Sequence, residues 1–121
     1  MGFKFEKLEV YQRALDYIAL MYKVARQLPK SEEHNLKPQI VRAATSAALN
    51  IAEGSTGQTN AEQSRFLGMA IRSVLETVAC QQIIRRQGLL DDTALLEQAQ
   101  GQAETLVVKL QAMRRSIAPR Q

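Results

Sequence analysis

Residues 92–117 read DTALLEQAQGQAETLVVKLQAMRRSI, and the spacing of their apolar positions decides the fold. Leu96, Ala99, Ala103, Leu106, Leu110, Met113 and Ile117 recur at steps of three and four residues, the seam that a helix presents inside a left-handed bundle. Asp91 or Asp92 supplies a carboxylate for the free amides at the start, and Pro119 stops the helix. The cations Arg114, Arg115 and Arg120 fall at its negative end.

Upstream, Thr59 followed by Glu62 forms a capping box, so a second helix is predicted over 60–87. Its apolar face is Phe66, Leu67, Ala70, Ser73, Val74, Val78 and Ile83, and Gly88-Leu89 reads as its C-terminal cap. Glu62 with Arg65, and Arg72 with Glu76, are spaced for helix-surface ion pairs contributing about 0.2–0.5 kcal/mol each. Before it, a helix over 36–53 has Asn35 as N-cap, Pro38 in its first turn and Gly54 as a left-handed terminator. Leu36, Ile40, Ala43, Ala44, Ala47 and Ile51 make a core face small enough for close helix approach. Beside it runs a polar line, Arg42, Ser46, Asn50 and Glu53, which is either a solvated edge or a hydrogen-bond ladder against another helix.

The first helix spans 6–28, ended by Pro29, and carries two apolar lines. One is Val10, Ala14, Tyr17, Met21, Val24 and Leu28; the other is Leu8, Tyr11, Leu15, Ile18, Tyr22 and Ala25. Together they cover roughly 200° of the helix, about twice the stripe that one core contact needs. The second line therefore serves either a central packing position or a neighbouring subunit. Four helices with short connections imply one all-α domain over 1–121, an antiparallel up-down-up-down four-helix bundle.

Composition agrees with that class. The chain has 121 residues, 45% apolar and 23% charged, with three prolines and six glycines. The single Cys80, beside Ala79 and one helical turn from Ile83 and Ile84, reads as a reduced core thiol, and the opening residues lack the apolar run of a signal peptide, so a cytoplasmic setting is expected. No membrane span is expected either.

Catalytic signatures are missing. A di-iron bundle needs Glu-x-x-His pairs, but the only histidine, His34, sits in a connection. One Cys and one His supply no zinc set, and no lysine-bearing glycine loop follows a strand. Arg26 and His34 are separated by Pro29 and share no helical face, which excludes an arginine–histidine ribonuclease pair. The expectation is a binding protein, not an enzyme, with no metal and no cofactor. Net charge is +4. Parallel first and third helices should gather Arg26, Lys30, Arg85 and Arg86 at one end of the bundle, and Lys4, Lys7, Arg114, Arg115 and Arg120 at the other. Lys4, Lys7, Arg26, Arg85, Arg86, Arg114, Arg115 and Arg120 are thus the candidate nucleic-acid contacts.

Several motifs in order resemble a known family. Phe5-Glu6-Lys7-Leu8-Glu9-Val10-Tyr11-Gln12-x-Ala14, Gln39-Ile40-x-Arg42-Ala43-Ala44-x-Ser46, Asn50-Ile51-Ala52-Glu53-Gly54 and Glu62-x-x-Arg65-Phe66-Leu67-x-x-Ala70-x-x-Ser73-x-x-Glu76 are similar to the four-helix-bundle proteins encoded by intervening sequences in bacterial 23S ribosomal RNA genes. That family is similar in fold to the accessory variability protein of diversity-generating retroelements. The resemblance implies a homopentameric ring and, in the retroelement branch, binding of a reverse transcriptase and its RNA. Tyr11 stands where the family usually has Trp, Val41 replaces an Arg common before Arg42, and Ala48-Leu49 stands where a Pro often sits. The loop after Gly54 lacks the basic residues many members carry.

Tyr11, Tyr17, Met21, Arg42, Asn50, Glu53, Phe66 and Glu76 are the expected structural and oligomer positions, with an Arg42–Glu76 ion pair, oriented by Ser46 and Ser73, setting the register. The functional expectation is a non-enzymatic homo-oligomer that binds RNA, DNA or a nucleic-acid enzyme such as a reverse transcriptase. A purely structural or protein-binding oligomer is the alternative. Five copies at +4 would carry about +20 in one ring.

Overall fold

The computed structural model describes residues 2–57 and 59–117. Among them are four α-helices, α1 (Glu9–Gln27), α2 (Leu36–Ser55), α3 (Asn60–Gln87) and α4 (Thr93–Ile117), with short 3-10 turns at Lys4–Lys7 and Lys30–Glu32 and no strand. Each helix packs on its neighbours in the chain, and α4 closes the square against α1. The alternating directions follow from where the ends meet. Lys109 near the end of α4 reaches Glu9 at the start of α1 (3.1 Å), and Arg114 reaches Ser64 at the start of α3 (3.1 Å).

The core is built by the seams that helical period dictates. Leu96, Ala99, Ala103, Leu106 and Leu110 of α4 are buried, as are Leu36, Ile40, Ala43, Ala44, Ala47 and Ile51 of α2. On α1 the line Val10, Ala14, Tyr17, Met21, Val24 and Leu28 faces inward. The seam of α3 differs from the predicted one: Ile83 is 48% exposed whereas Ile84 is fully buried. The actual seam is Leu67, Ala70, Val74, Thr77, Gln81 and Ile84, a strict three-four repeat hidden in the sequence because two of its members are polar.

The helix ends show which local signals decide termination. The Thr59 hydroxyl accepts from the Glu62 amide (3.0 Å), and the Asp92 carboxylate accepts from the Leu95 amide (3.0 Å), as their types require. Gly88 takes a left-handed φ of 62° while the Leu89 amide returns to the Ile84 carbonyl (3.0 Å), a Schellman closure. Asn35 does precede α2, but its side chain donates to Glu32 (3.0 Å) instead of capping the helix. Gly54 is not a terminator. It lies within α2, which continues to Ser55, and Gly88 alone has positive φ among the described residues. The predicted first helix is also interrupted: Leu8 is extended (φ −76°, ψ 126°), separating the turn at Lys4–Lys7 from α1. The turn is held by aromatic packing, with Phe5 stacked on Phe3 and set edge-on to Tyr11 (centroids 4.9 Å). Pro119 and Arg120 lie outside the described residues.

Candidate functional site: an arginine-lined pocket and a polar core tie

Besides the α2–α3 interface, two polar systems bridge the helices, and together they divide the residues singled out above. The first lies in the core. Tyr17 of α1, only 1% exposed, meets Thr77 of α3 across the diagonal of the square (hydroxyl oxygens 2.6 Å apart), and the Gln81 amide donates to the Tyr17 oxygen (2.7 Å). Thr77 donates its own proton to the Val74 carbonyl, so Tyr17 donates to Thr77 and the chain of bonds runs one way. Gln81 Oε1 has no hydrogen-bond partner among the described residues, although Gln81 is buried. Burial pushes the Tyr17 phenol up to about 12, against the opposing pull of its bonds to Thr77 and Gln81. The Cys80 thiol is buried and likewise pushed up, first by desolvation and then by the Glu76 carboxylate, which leaves it a poor nucleophile.

The Tyr17 shift has a definite sign. A phenol whose folded value lies above its ordinary 10 stabilises the fold fully below pH 10 and loses that contribution as pH rises toward 12. The stability advantage of wild type over Tyr17→Phe should therefore fall by roughly 2–3 kcal/mol across that window, since the unfolded wild-type chain ionises its phenol near pH 10 while the buried phenol stays protonated. A stability difference that stays constant from neutral pH to pH 12 would show that Tyr17 is solvated.

The α2–α3 interface carries the ladder reading of the polar line. Ser46 and Ser73 hydroxyls meet at 3.0 Å, Asn50 donates to the Ser46 carbonyl (2.9 Å) and hydroxyl (3.1 Å), and Ser73 donates to the Met69 carbonyl (3.1 Å). The expected Arg42–Glu76 ion pair does not form. Both side chains are exposed, and the ion pairs among the described residues are Arg13–Glu9, Lys37–Glu33 and Lys109–Glu9. Long charged side chains gain more from hydration than from a pair held at a helix interface, so the short hydroxyls take the contact and the charges stay in water. Glu53 is exposed as well. Phe66 is half-buried, its Cβ region against Gly54 and its ring under the Arg65 guanidinium (4.6 Å).

The second polar system is a surface pocket of about 270 Å³ between α3 and the end of α4, lined by Ser64, Arg65, Gly68, Arg72 and Arg114 among others. Neither Arg65 nor Arg72 makes its predicted helix-surface pair. Arg114 donates from Nε to the Ser64 hydroxyl and lies so close over Gly68 that a Cβ there would sit 2.9 Å from the guanidinium carbon.

The other candidate cations are placed apart. Lys4, Lys7 and Arg114 do share one end of the bundle, but the Arg114 side chain is turned onto α3. At the opposite end Arg26 lines a groove between α1 and α2, whereas Arg85 lines one between α3 and α4, so they face different sides. Arg86 and Arg115 are exposed, and Arg120 is outside the described residues. Sequence reasoning missed Arg65 and Arg72 as partners of Arg114. The available signal was Gly68, a helix-interior glycine that costs about 1 kcal/mol relative to alanine and marks a place where a neighbour can approach closely.

The outer line of α1 is only partly used by its own chain. Tyr11 packs on Phe5 and Ala25 is buried, while Leu15 (40%) and Tyr22 (45%) remain exposed. No group of three or more His, Cys, Asp or Glu side chains among the described residues is arranged to hold a metal ion, and His34 is exposed. No helix searched is long and apolar enough to cross a membrane.

These features define a four-helix bundle whose distinguishing surface is cationic and apolar. The family model for the 23S rRNA-intervening sequence protein matches residues 6–112, and the chain belongs to that family. No curated protein matches it. Among solved structures it is similar to a protein of unknown function from the S23 ribosomal protein family of Bacteroides thetaiotaomicron, at 20% identity and a TM-score of 0.79, covering 87% of this chain and 97% of that one. At that identity the likeness establishes the fold.

Proposed function

We propose that the protein is a non-catalytic, self-associating bundle that engages nucleic acid through its basic surface. The observation that carries this reading is the imbalance of charge on that surface. Arg13, Lys37 and Lys109 are the basic side chains with a carboxylate within ion-pair distance among the described residues, which leaves the remaining cations open to an anionic partner. Self-association is supported by the exposed Leu15 and Tyr22 on α1, and a ring of five, as the family resemblance implies, would repeat the cationic surface in each copy. The test combines mass and salt. Light scattering should report a defined oligomer, and RNA retention should fall steeply between about 50 and 200 mM salt as phosphate contacts release counterions. Absence of RNA binding at low salt would overturn the nucleic-acid role.

A second reading, a protein-binding oligomer with no nucleic-acid role, is favoured by a different feature. Leu75, Val78, Val107 and Val108 line an apolar groove of about 230 Å³ between α3 and α4, with Leu75 half exposed and Val108 more than half exposed. A protein partner would be held there by apolar contact, and its binding would be insensitive to salt.

A further inference from the structure

Three arginines line the pocket that opens beside Gly68. Arg65 and Arg72 come from α3 and Arg114 from α4, and they line one open pocket of about 270 Å³. None of the three has a carboxylate within 4 Å among the described residues, so three like charges share a concavity with no counter-ion among those residues. A surface that gathered arginines only for solubility would keep them apart.

The orientation of Arg114 is also built in. Its Nε donates to Ser64 (3.1 Å), and the missing Cβ of Gly68 lets the guanidinium carbon and both terminal nitrogens lie where a methyl would be 2.9–3.0 Å away. That holds Arg114 against α3 while its two terminal nitrogens make no hydrogen bond to the described protein. Arg65 is steadied in turn over the Phe66 ring (4.6 Å) and against the Met69 sulfur (3.7 Å). Arg65 and Arg114 are thus each held in place by the protein, with donors left over for a ligand.

We propose that Arg65, Arg72 and Arg114 form a phosphate-binding pocket in which Gly68 and Ser64 set the Arg114 fork. A guanidinium offers paired N–H donors that match two oxygens of a phosphate, which carboxylate-free clusters of this kind recognise well. The pocket is smaller than the roughly 300–1,000 Å³ of sites that enclose whole cofactor-sized ligands, so it takes a phosphate with its immediate substituents. The source of that phosphate is a nucleic-acid backbone where the nucleic-acid reading above holds, on which this form of the proposal rests, or a free phosphorylated small molecule where it does not.

The probes are a fluorescently labelled oligouridylate and inorganic phosphate, applied to the full chain. Gly68→Ala is the informative variant, because the new methyl meets only the far end of a flexible side chain; the helix keeps its fold while Arg114 is pushed off its seat. Arg72→Gln removes a second donor, and Lys23→Gln on α1 removes the same unit charge away from the pocket. At about 50 mM salt, Arg72→Gln should weaken oligouridylate binding about tenfold and lower the salt slope by about one, Gly68→Ala should weaken it several-fold, and Lys23→Gln should change it less than about twofold. Equal effects of Arg72→Gln and Lys23→Gln would overturn the pocket and leave the nucleic-acid reading standing. If the oligouridylate does not bind at all, the nucleic-acid reading fails, and the pocket is judged by inorganic phosphate. A rise in Tm with phosphate in wild type, lost in Arg72→Gln, supports the free-phosphate source. No rise in wild type overturns the pocket as well.

Discussion

Replacing Tyr17 with alanine is expected to cost about 3–5 kcal/mol, the range for deleting a large buried side chain. Several features put it at the upper end. The ring is 1% exposed and occupies the diagonal of the square, where α1 and α3 are too far apart to meet through small residues. Its hydroxyl also ties Thr77 at 2.6 Å and receives the Gln81 amide at 2.7 Å. Truncation leaves a cavity and leaves the Gln81 amide only the Met21 sulfur (3.6 Å), when Gln81 Oε1 has no partner among the described residues. Small domains are stable by only about 5–15 kcal/mol, so the loss would be a large share of the total. Urea denaturation followed by far-UV circular dichroism checks this, with Tyr17→Phe as the comparison that keeps the ring and gives up only about 1–2 kcal/mol for its hydrogen bonds. A Tyr17→Ala midpoint close to that of Tyr17→Phe would mean that the ring is not packed.

Gly54→Val is expected to cost about 2–3 kcal/mol or more, through overpacking. A Cβ at Gly54 falls 2.9 Å from the Cβ of Phe66, an atom fixed by the α3 backbone, and 3.4 Å from the Gln63 carbonyl, so α2 and α3 would have to part. Gly54→Asn discriminates between the two roles that this glycine was open to. Asparagine is accepted at a left-handed helix end, so a terminator would tolerate it, whereas an interhelix contact would not. The other helical glycines provide the contrast. Nothing lies within 4 Å of a Cβ built at Gly101, and Gly101→Ala should stabilise α4 by about 0.5–1 kcal/mol. Gly88 also has open space but a φ of 62°, so alanine there costs about 1 kcal/mol from backbone strain alone. Thermal denaturation of the three variants should give a large loss, a gain and a modest loss; a neutral Gly54→Val would contradict the close approach of α2 and α3.

Much of the fold was legible because helical period is a local property. α3 spans Asn60–Gln87 as its cap and its terminating Gly88 required, the seam of α2 is buried as spaced, and that of α4 is buried as far as Leu110, with Met113 and Ile117 half-buried. The errors came where one residue type serves two ends. Gly54 as a terminator and Gly54 as a gap for Phe66 look identical along the chain, and Ile83 and Ile84 differ only in phase once Thr77 and Gln81 are recognised as core. The Arg42–Glu76 expectation failed for an energetic reason: helix spacing brings the two lines together, but the neighbouring Ser46–Ser73 pair makes the contact without desolvating a charge.

The candidate site was least legible. Arg114 and Ser64 are fifty residues apart, and no periodicity links Arg114 to Arg65 and Arg72. By itself, then, the sequence determined four helices, three of their four buried faces, most of their ends and the family, because apolar spacing and capping chemistry act within a few residues. Only the tertiary structure decided which polar side chains enter the core, which glycine admits a neighbour and which arginines share a pocket, because those outcomes depend on the packing of helices remote in the chain and on the cost of taking charge out of water.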